Sequence, residues 1–211
     1  MKEVSKIIEL LKKEYPHAKY YLNFDNPLEL MVAAILSAQV RDEVVNATTP
    51  KLFKKYKTAK DYAEAKLDDL VNGIKAIAFA GNKAKNIINA CKILVEKYEG
   101  KVPKTMEELL QLPGVGRKTS NTILINSYGI VEGIPVDTWV IKLSNRLGWV
   151  KTTNADKIEQ KLMEIIPKSE WGKFSYMLKS HGKAICRSPI PYCNKCFLYK
   201  LCPRQGVTKH F

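Results

Sequence analysis

The sequence predicts an all-α protein. No stretch alternates apolar and polar residues with the period of a strand, helix start and stop signals recur from end to end, and the connections between them are short. The first helix spans about 3–15, with Ile7, Ile8, Leu10 and Leu11 on its apolar side and Pro16 at its end. Asn26-Pro27-Leu28-Glu29 combines an N-cap, a proline at the first helical position and a glutamate at N3, ahead of 30–36. A third helix covers 42–56, and short ones follow over 59–65 and 67–72, the latter stopped by Gly73. The segment 82–98 is long and amphipathic, and Gly100 closes it. Thr105 and Glu108 read as a capping box for a helix ending near Leu112, and 117–128 is stopped by Gly129. Further helices are expected from Pro135 through Leu147, over 154–166 and over 170–180. Turn residues gather over 129–135, a place for a hinge between two parts.

The chain has 211 residues, 45% hydrophobic and 27% charged, a composition that folds around a core. Its best apolar run, Met31 to Leu36, is far short of the ~20 residues of a membrane span. The first residues mix acids into an amphipathic pattern and lack the core of a secretory signal. Membrane insertion and secretion are therefore set aside, and a cytoplasmic, nucleoid location is expected. The formal net charge is +14 and the sequence pI about 9.5. By segment, residues 1–20 carry +2, residues 21–130 carry +4 and residues 131–211 carry +8. Such an excess points to a polyanionic partner, although solvated lysine faces also serve solubility alone.

Leu112-Pro113-Gly114-Val115-Gly116-Arg117-Lys118-Thr119 lies between two expected helices. Gly114 and Gly116 let the backbone turn tightly and approach a ligand without a Cβ in the way. The helix that follows offers its first amides to an anion. In a strongly basic chain this string reads as a DNA-binding helix-hairpin-helix rather than an ordinary αα turn. Lys118 falls in the first turn, where the helix field disfavours an ammonium and favours the nucleophilic amine. Phosphate contact is the plain alternative for it. Asp137, in Pro135-Val136-Asp137-Thr138, is an N-cap by position, and a carboxylate there can also support an amine's chemistry.

Four of five cysteines crowd the C-terminus as Cys186-x6-Cys193-x2-Cys196-x5-Cys202. Disulfides fit poorly with such bunching and no secretion signal. Four thiolates on a short loop suit a [4Fe–4S] cluster, with zinc as the alternative because it also uses C-x2-C elements. Cys91 reads as a buried apolar residue. Arg187, Lys195, Lys200 and Arg204 surround the loop and would face a phosphate backbone.

With these residues together, the sequence resembles the endonuclease III family of DNA glycosylases in the helix-hairpin-helix superfamily. The resemblance covers nearly the whole chain, from Leu36-Ser37-Ala38-Gln39 through the hairpin and Val136-Asp137-Thr138 to the cysteine loop. It implies a two-domain glycosylase fold: a six-helix barrel over 21–130 holding the hairpin, and a cluster domain built from 1–20 plus 131–211. It implies a [4Fe–4S] cluster on Cys186, Cys193, Cys196 and Cys202, and a monomer holding damaged duplex DNA in a groove between the domains. Lys118 would be the nucleophile at C1′, with Asp137 assisting from the other domain, and a Schiff base would lead to β-elimination at the strand. Gln39 matches the residue inserted where the base has left, and Phe79 replaces the family's leucine as a wedge. Gly114, Gly116, Arg117, Arg187 and Lys195 would grip the backbone.

Two departures bear on substrate choice. The family's common Val-Asp-Thr-His is Val136-Asp137-Thr138-Trp139 here, and its Gly-Leu-Tyr-Asn is Ala78-Phe79-Ala80-Gly81. Trp139 would stack on an extruded base or fill core volume. The implied activity is a bifunctional DNA N-glycosylase and abasic-site lyase acting on oxidised pyrimidines. A mismatch glycosylase is the second reading, against which stand Lys118 and an end nine residues after Cys202. A non-catalytic DNA-binding module is the third.

Overall fold

A computed structural model describes residues 2–211, residue 2 in its backbone only. Every regular element among the described residues is helical, as the missing period-2 pattern predicts. Two compact units divide the chain: Tyr21–Ile130, and Met1–Tyr20 with Val131–Phe211. Met1 itself lies outside the described residues.

The Tyr21–Ile130 unit holds α2 (Pro27–Leu36), α3 (Asp42–Lys55), α4 (Ala59–Ala63), α5 (Leu67–Gly73), α6 (Ala80–Tyr98), α7 (Met106–Leu110) and α8 (Arg117–Tyr128). Seven helical segments thus occupy the stretch expected to hold six, and two of them have only 5 residues. In α2 every residue from Leu30 to Leu36 is buried, so this helix is wrapped on all sides, with α3, α6 and α8 packed against it. Its start is built as the sequence predicts at Asn26, whose Oδ1 accepts from the Glu29 amide at 3.0 Å. Glu29 reaches one residue further than a capping box requires, accepting from the Asp25 amide at 2.7 Å. The reciprocal box forms instead at Thr58 and Asp61, where it fixes α4. Gly73 ends up as the last helical residue of α5 rather than its stop. At Thr105 the hydroxyl donates to Glu108 Oε2, and α7 ends at Leu110 rather than Leu112.

The other unit holds α1 (Lys2–Glu14), α9 (Thr138–Arg146), α10 (Ala155–Ile165) and α11 (Trp171–Ala184), with a 3-10 turn at Cys193–Lys195. Ile7, Ile8 and Leu11 of α1 join Val140, Leu143, Leu162, Phe174 and Leu178 in one core, so the N-terminal segment is stitched to the C-terminal third by apolar burial.

α11 continues past Ser180, where the sequence suggested an end, because Gly182 serves as a notch rather than a stop. A Cβ there would collide with the edge of the six-membered ring of Trp139 at Cε3, and stand 2.8 Å from Cζ3 and 2.9 Å from Cδ2. Gly182→Ala should therefore lower stability by about 1–3 kcal/mol through overpacking. Trp139→His, which lacks that ring, should recover most of the loss, as denaturant titration of the single and double variants will measure.

Candidate functional site

The hairpin forms where the sequence places it, between α7 and α8. Gly114 takes φ +81°, and a Cβ on it would stand 3.1 Å from Asn86 of α6. Here conformation and crowding both require glycine. Gly116 differs: it caps α8 in an extended conformation open to any residue, and among the described residues nothing lies within 4 Å of where its Cβ would be. The packing of this chain does not require glycine at 116, so the room it leaves is available to a molecule from outside. Arg117 and Lys118 open α8 and are half-buried.

Asp137 caps α9 in the other unit. Its Oδ1 accepts from both the Trp139 and Val140 amides, each at 2.9 Å. One oxygen satisfies the helix start, so capping leaves the second oxygen for other chemistry. Lys118 and Asp137 thus stand on different units, the lysine in the first turn of α8 and the aspartate at the N-cap of α9.

Trp139 is half-buried on the Gly182 notch, with the Lys142 ammonium 4.5 Å from its ring centroid. The ring packs against the core of its own unit. That supports the space-filling half of the expectation for it.

Gln39 and Phe79 are both exposed, Phe79 to 64%, and both adopt left-handed backbone, at φ 57° and 61°. Such conformations are unusual away from glycine. Phe79 sits at the N-cap of α6, which is why that helix starts at Ala80, two residues ahead of the sequence estimate.

The four C-terminal cysteines carry no disulfide and line one pocket with Leu143, Leu198 and Val207. Burial pushes the Cys196 thiol up to about 11 and raises Cys193 and Cys202, and the neighbouring sulfurs add to the rise. Among the described residues no set of three or more Cys, His, Asp or Glu side chains is placed to hold a metal ion as it stands. Arg146, which the sequence reading passed over, ties the loop together. Its Nη1 donates to the Cys186 carbonyl at 2.9 Å, to Cys186 Sγ at 3.1 Å and to the Arg187 carbonyl at 3.0 Å. Its own carbonyl accepts from the Gln205 amide at 3.1 Å. His181 was missed as well. It is buried, its pKa drawn down to about 4 by desolvation, and its ring lies between the Tyr15 hydroxyl at 3.1 Å and Cys196 Sγ at 3.5 Å. A basic residue closing an amphipathic helix, and a histidine on a helix face, carry no signal that separates them from ordinary packing.

Arg187 and Lys195 are exposed and flank Tyr192, at 5.3 and 5.9 Å from its ring centroid. The Phe211 ring stacks on the same tyrosine at 5.3 Å, and the Phe211 amide donates to the Pro191 carbonyl at 3.0 Å. The chain end thereby clips the rim of the cysteine loop.

A glycine hairpin between two helices of a wholly helical unit is the arrangement of a helix-hairpin-helix, and residues 32–168 match the family described as HhH-GPD superfamily base excision DNA repair protein. Endonuclease III from Synechocystis sp. is 45% identical over 204 residues, 97% of this chain and 93% of that protein. Endonuclease III from Bacillus subtilis is 40% identical over 99% of this chain and 95% of its own length. Among solved structures, a trapped endonuclease III–DNA covalent intermediate superposes with a TM-score of 0.92 at 39% identity, covering 96% of this chain and 95% of the other. A thermostable thymine-DNA glycosylase, 21% identical with a TM-score of 0.86, shares the fold. The chain belongs to the HhH-GPD superfamily and, within it, to the endonuclease III family. No helix among the described residues is long and apolar enough to cross a membrane.

Proposed function

We propose that this protein is a base excision repair enzyme, a bifunctional DNA N-glycosylase and abasic-site lyase acting on oxidised pyrimidines in duplex DNA. The observation that carries the proposal is Lys118 at the start of α8, directly after a hairpin whose Gly116 leaves open space. The α8 N-terminus draws a phosphate towards it and lowers the cost of presenting an uncharged amine. The lesion must leave the stack to be reached, which selects bases that pair or stack poorly.

The Lys118 amine attacks C1′, the C1′–N bond breaks, and its electron pair departs with the base, which takes up a proton. The nitrogen bound to C1′ gives up one of its two protons, and as the C1′–O4′ bond breaks the ring oxygen takes up a proton and an iminium is left at C1′. Loss of a C2′ proton then expels the 3′ phosphate, cutting the strand on that side. Asp137 stabilises the positive charge that grows at the sugar and exchanges protons with the amine through the oxygen its cap does not use. Gln39 and Phe79 occupy the gap in the duplex, while Gly114, Gly116, Arg117, Arg187 and Lys195 hold the phosphate backbone.

Cys186, Cys193, Cys196 and Cys202 would hold a [4Fe–4S] cluster, which is bound by thiolates alone. Four disulfide-free thiols on one largely apolar pocket suit that donor set, and the Arg146 guanidinium offsets negative charge at Cys186. The cluster would supply a rigid support for the surrounding cations; no step of the reaction runs through it.

Borohydride reduction of the protein mixed with duplex DNA bearing thymine glycol or an abasic site should trap a covalent protein–DNA adduct. Absence of any adduct, with DNA binding intact, would reject the lyase and leave either a glycosylase without lyase activity or a DNA-binding module, which release of the free base tells apart.

A further inference from the structure

We propose that Lys83 is a positioning residue that locks Gln39 and Phe79 into one rigid two-pronged probe. This deepens the glycosylase reading and rests on it, since it takes those two side chains as the ones that enter the duplex.

Lys83 is the buried cation of the Tyr21–Ile130 unit, only 6% exposed. Its Nζ donates to the Leu36 carbonyl at 2.8 Å and to the Ala38 carbonyl at 2.6 Å. Leu36 ends α2, where carbonyls lose their intrahelical partners and the helix field welcomes a cation. Ala38 is the residue directly before Gln39. The Lys83 amide makes the ordinary first helical hydrogen bond of α6, to the Phe79 carbonyl at 3.1 Å, so the side chain starts from the turn directly behind the wedge. The Lys83 side chain therefore ties the backbone beside Gln39 to the first turn of α6, which follows Phe79 directly.

Both prongs are in left-handed backbone that costs non-glycine residues of order 1 kcal/mol each, so each needs support to stay there. Neither is held by its own side chain's burial, since both are exposed. Burying an ammonium is also costly, and desolvation draws the Lys83 pKa down from its ordinary value. A neutral side chain of similar length would fill the same volume at lower cost. What the charged one adds is two strong hydrogen bonds to a helix end and the loop it leads into. A loop fixed before DNA arrives spares the ordering cost during base extrusion.

Lys83→Met keeps the volume and removes the donors, and Lys83→Arg keeps the donors. Single-turnover rates would be measured on thymine glycol in duplex, which must be extruded, and on an abasic site in single-stranded DNA, which offers no opposite strand to probe. Fluorescence of 2-aminopurine opposite the lesion reports the unstacking directly. Lys83→Met should slow the duplex reaction about 10²-fold, the scale set by ångström misplacement, with a much smaller fall on single-stranded DNA and loss of the fluorescence rise. Lys83→Arg should restore most of both. Equal falls on the two substrates, or a duplex rate and fluorescence rise kept by Lys83→Met, would overturn the proposal. If the unaltered protein cut neither substrate, the glycosylase reading would fall and take this one with it.

Discussion

Lys118→Gln should abolish the borohydride-trapped adduct and slow strand cleavage by roughly 10³-fold or more, the loss expected when a nucleophile with no substitute is removed. Glutamine keeps most of the length of the side chain and its capacity to hydrogen bond, and Lys118 is only half-buried at the first turn of α8. Thermal stability and affinity for undamaged duplex should therefore change little. That combination separates a nucleophile from a phosphate contact, since loss of a phosphate contact weakens binding to every duplex and flattens its salt dependence. Asp137→Asn gives the complementary result. Asparagine caps as well as aspartate, so α9 should hold, while the rate should fall about 10²- to 10⁴-fold for want of the negative charge. Quenched-flow cleavage of a single-lesion duplex checks both variants.

Cys202→Ser should be the most damaging substitution for stability. The segment around the cysteines has little regular structure beyond one 3-10 turn, and its thiols share an apolar pocket. A group bound by four thiolates would contribute its binding energy to the folded state, as structural metal sites do. Removing one ligand should cost about 4–5 kcal/mol, the upper end of what single substitutions do. Bound iron and visible absorption should fall together with the unfolding midpoint. Retention of full iron content and an unchanged midpoint would remove the cluster from the structural account.

Much of this was legible in the sequence wherever a local rule acts alone. Asn26-Pro27 starts α2 and Gly129, at φ 67°, closes α8, because caps and left-handed stops depend on neighbours in the chain. The hairpin string and the cysteine spacing are likewise local patterns. Lys83 was not legible, since a lysine at a buried position of an amphipathic pattern carries no mark of the carbonyls it will meet 45 and 47 residues away. Phe79 defeated the boundary of α6 because left-handed phenylalanine runs against residue preference, and only the surrounding structure holds it. Arg146 reads as a favourable charge at a helix C-terminus, whereas its weight lies in contacts with residues 40 and 41 positions further on.

The notch at Gly182 ties the residue choice at 182 to that at 139. With histidine at 139, the family's common choice, Cε3 and Cζ3 of the indole are absent, so position 182 has more freedom. Once tryptophan settles at 139 that freedom closes, because the indole occupies the volume any Cβ would need. Residue choice at the two positions is therefore coupled: tryptophan at 139 in this packing goes with glycine at 182. The pair acts as a ratchet: with tryptophan in place, any side chain added at 182 is penalised, whatever its chemistry.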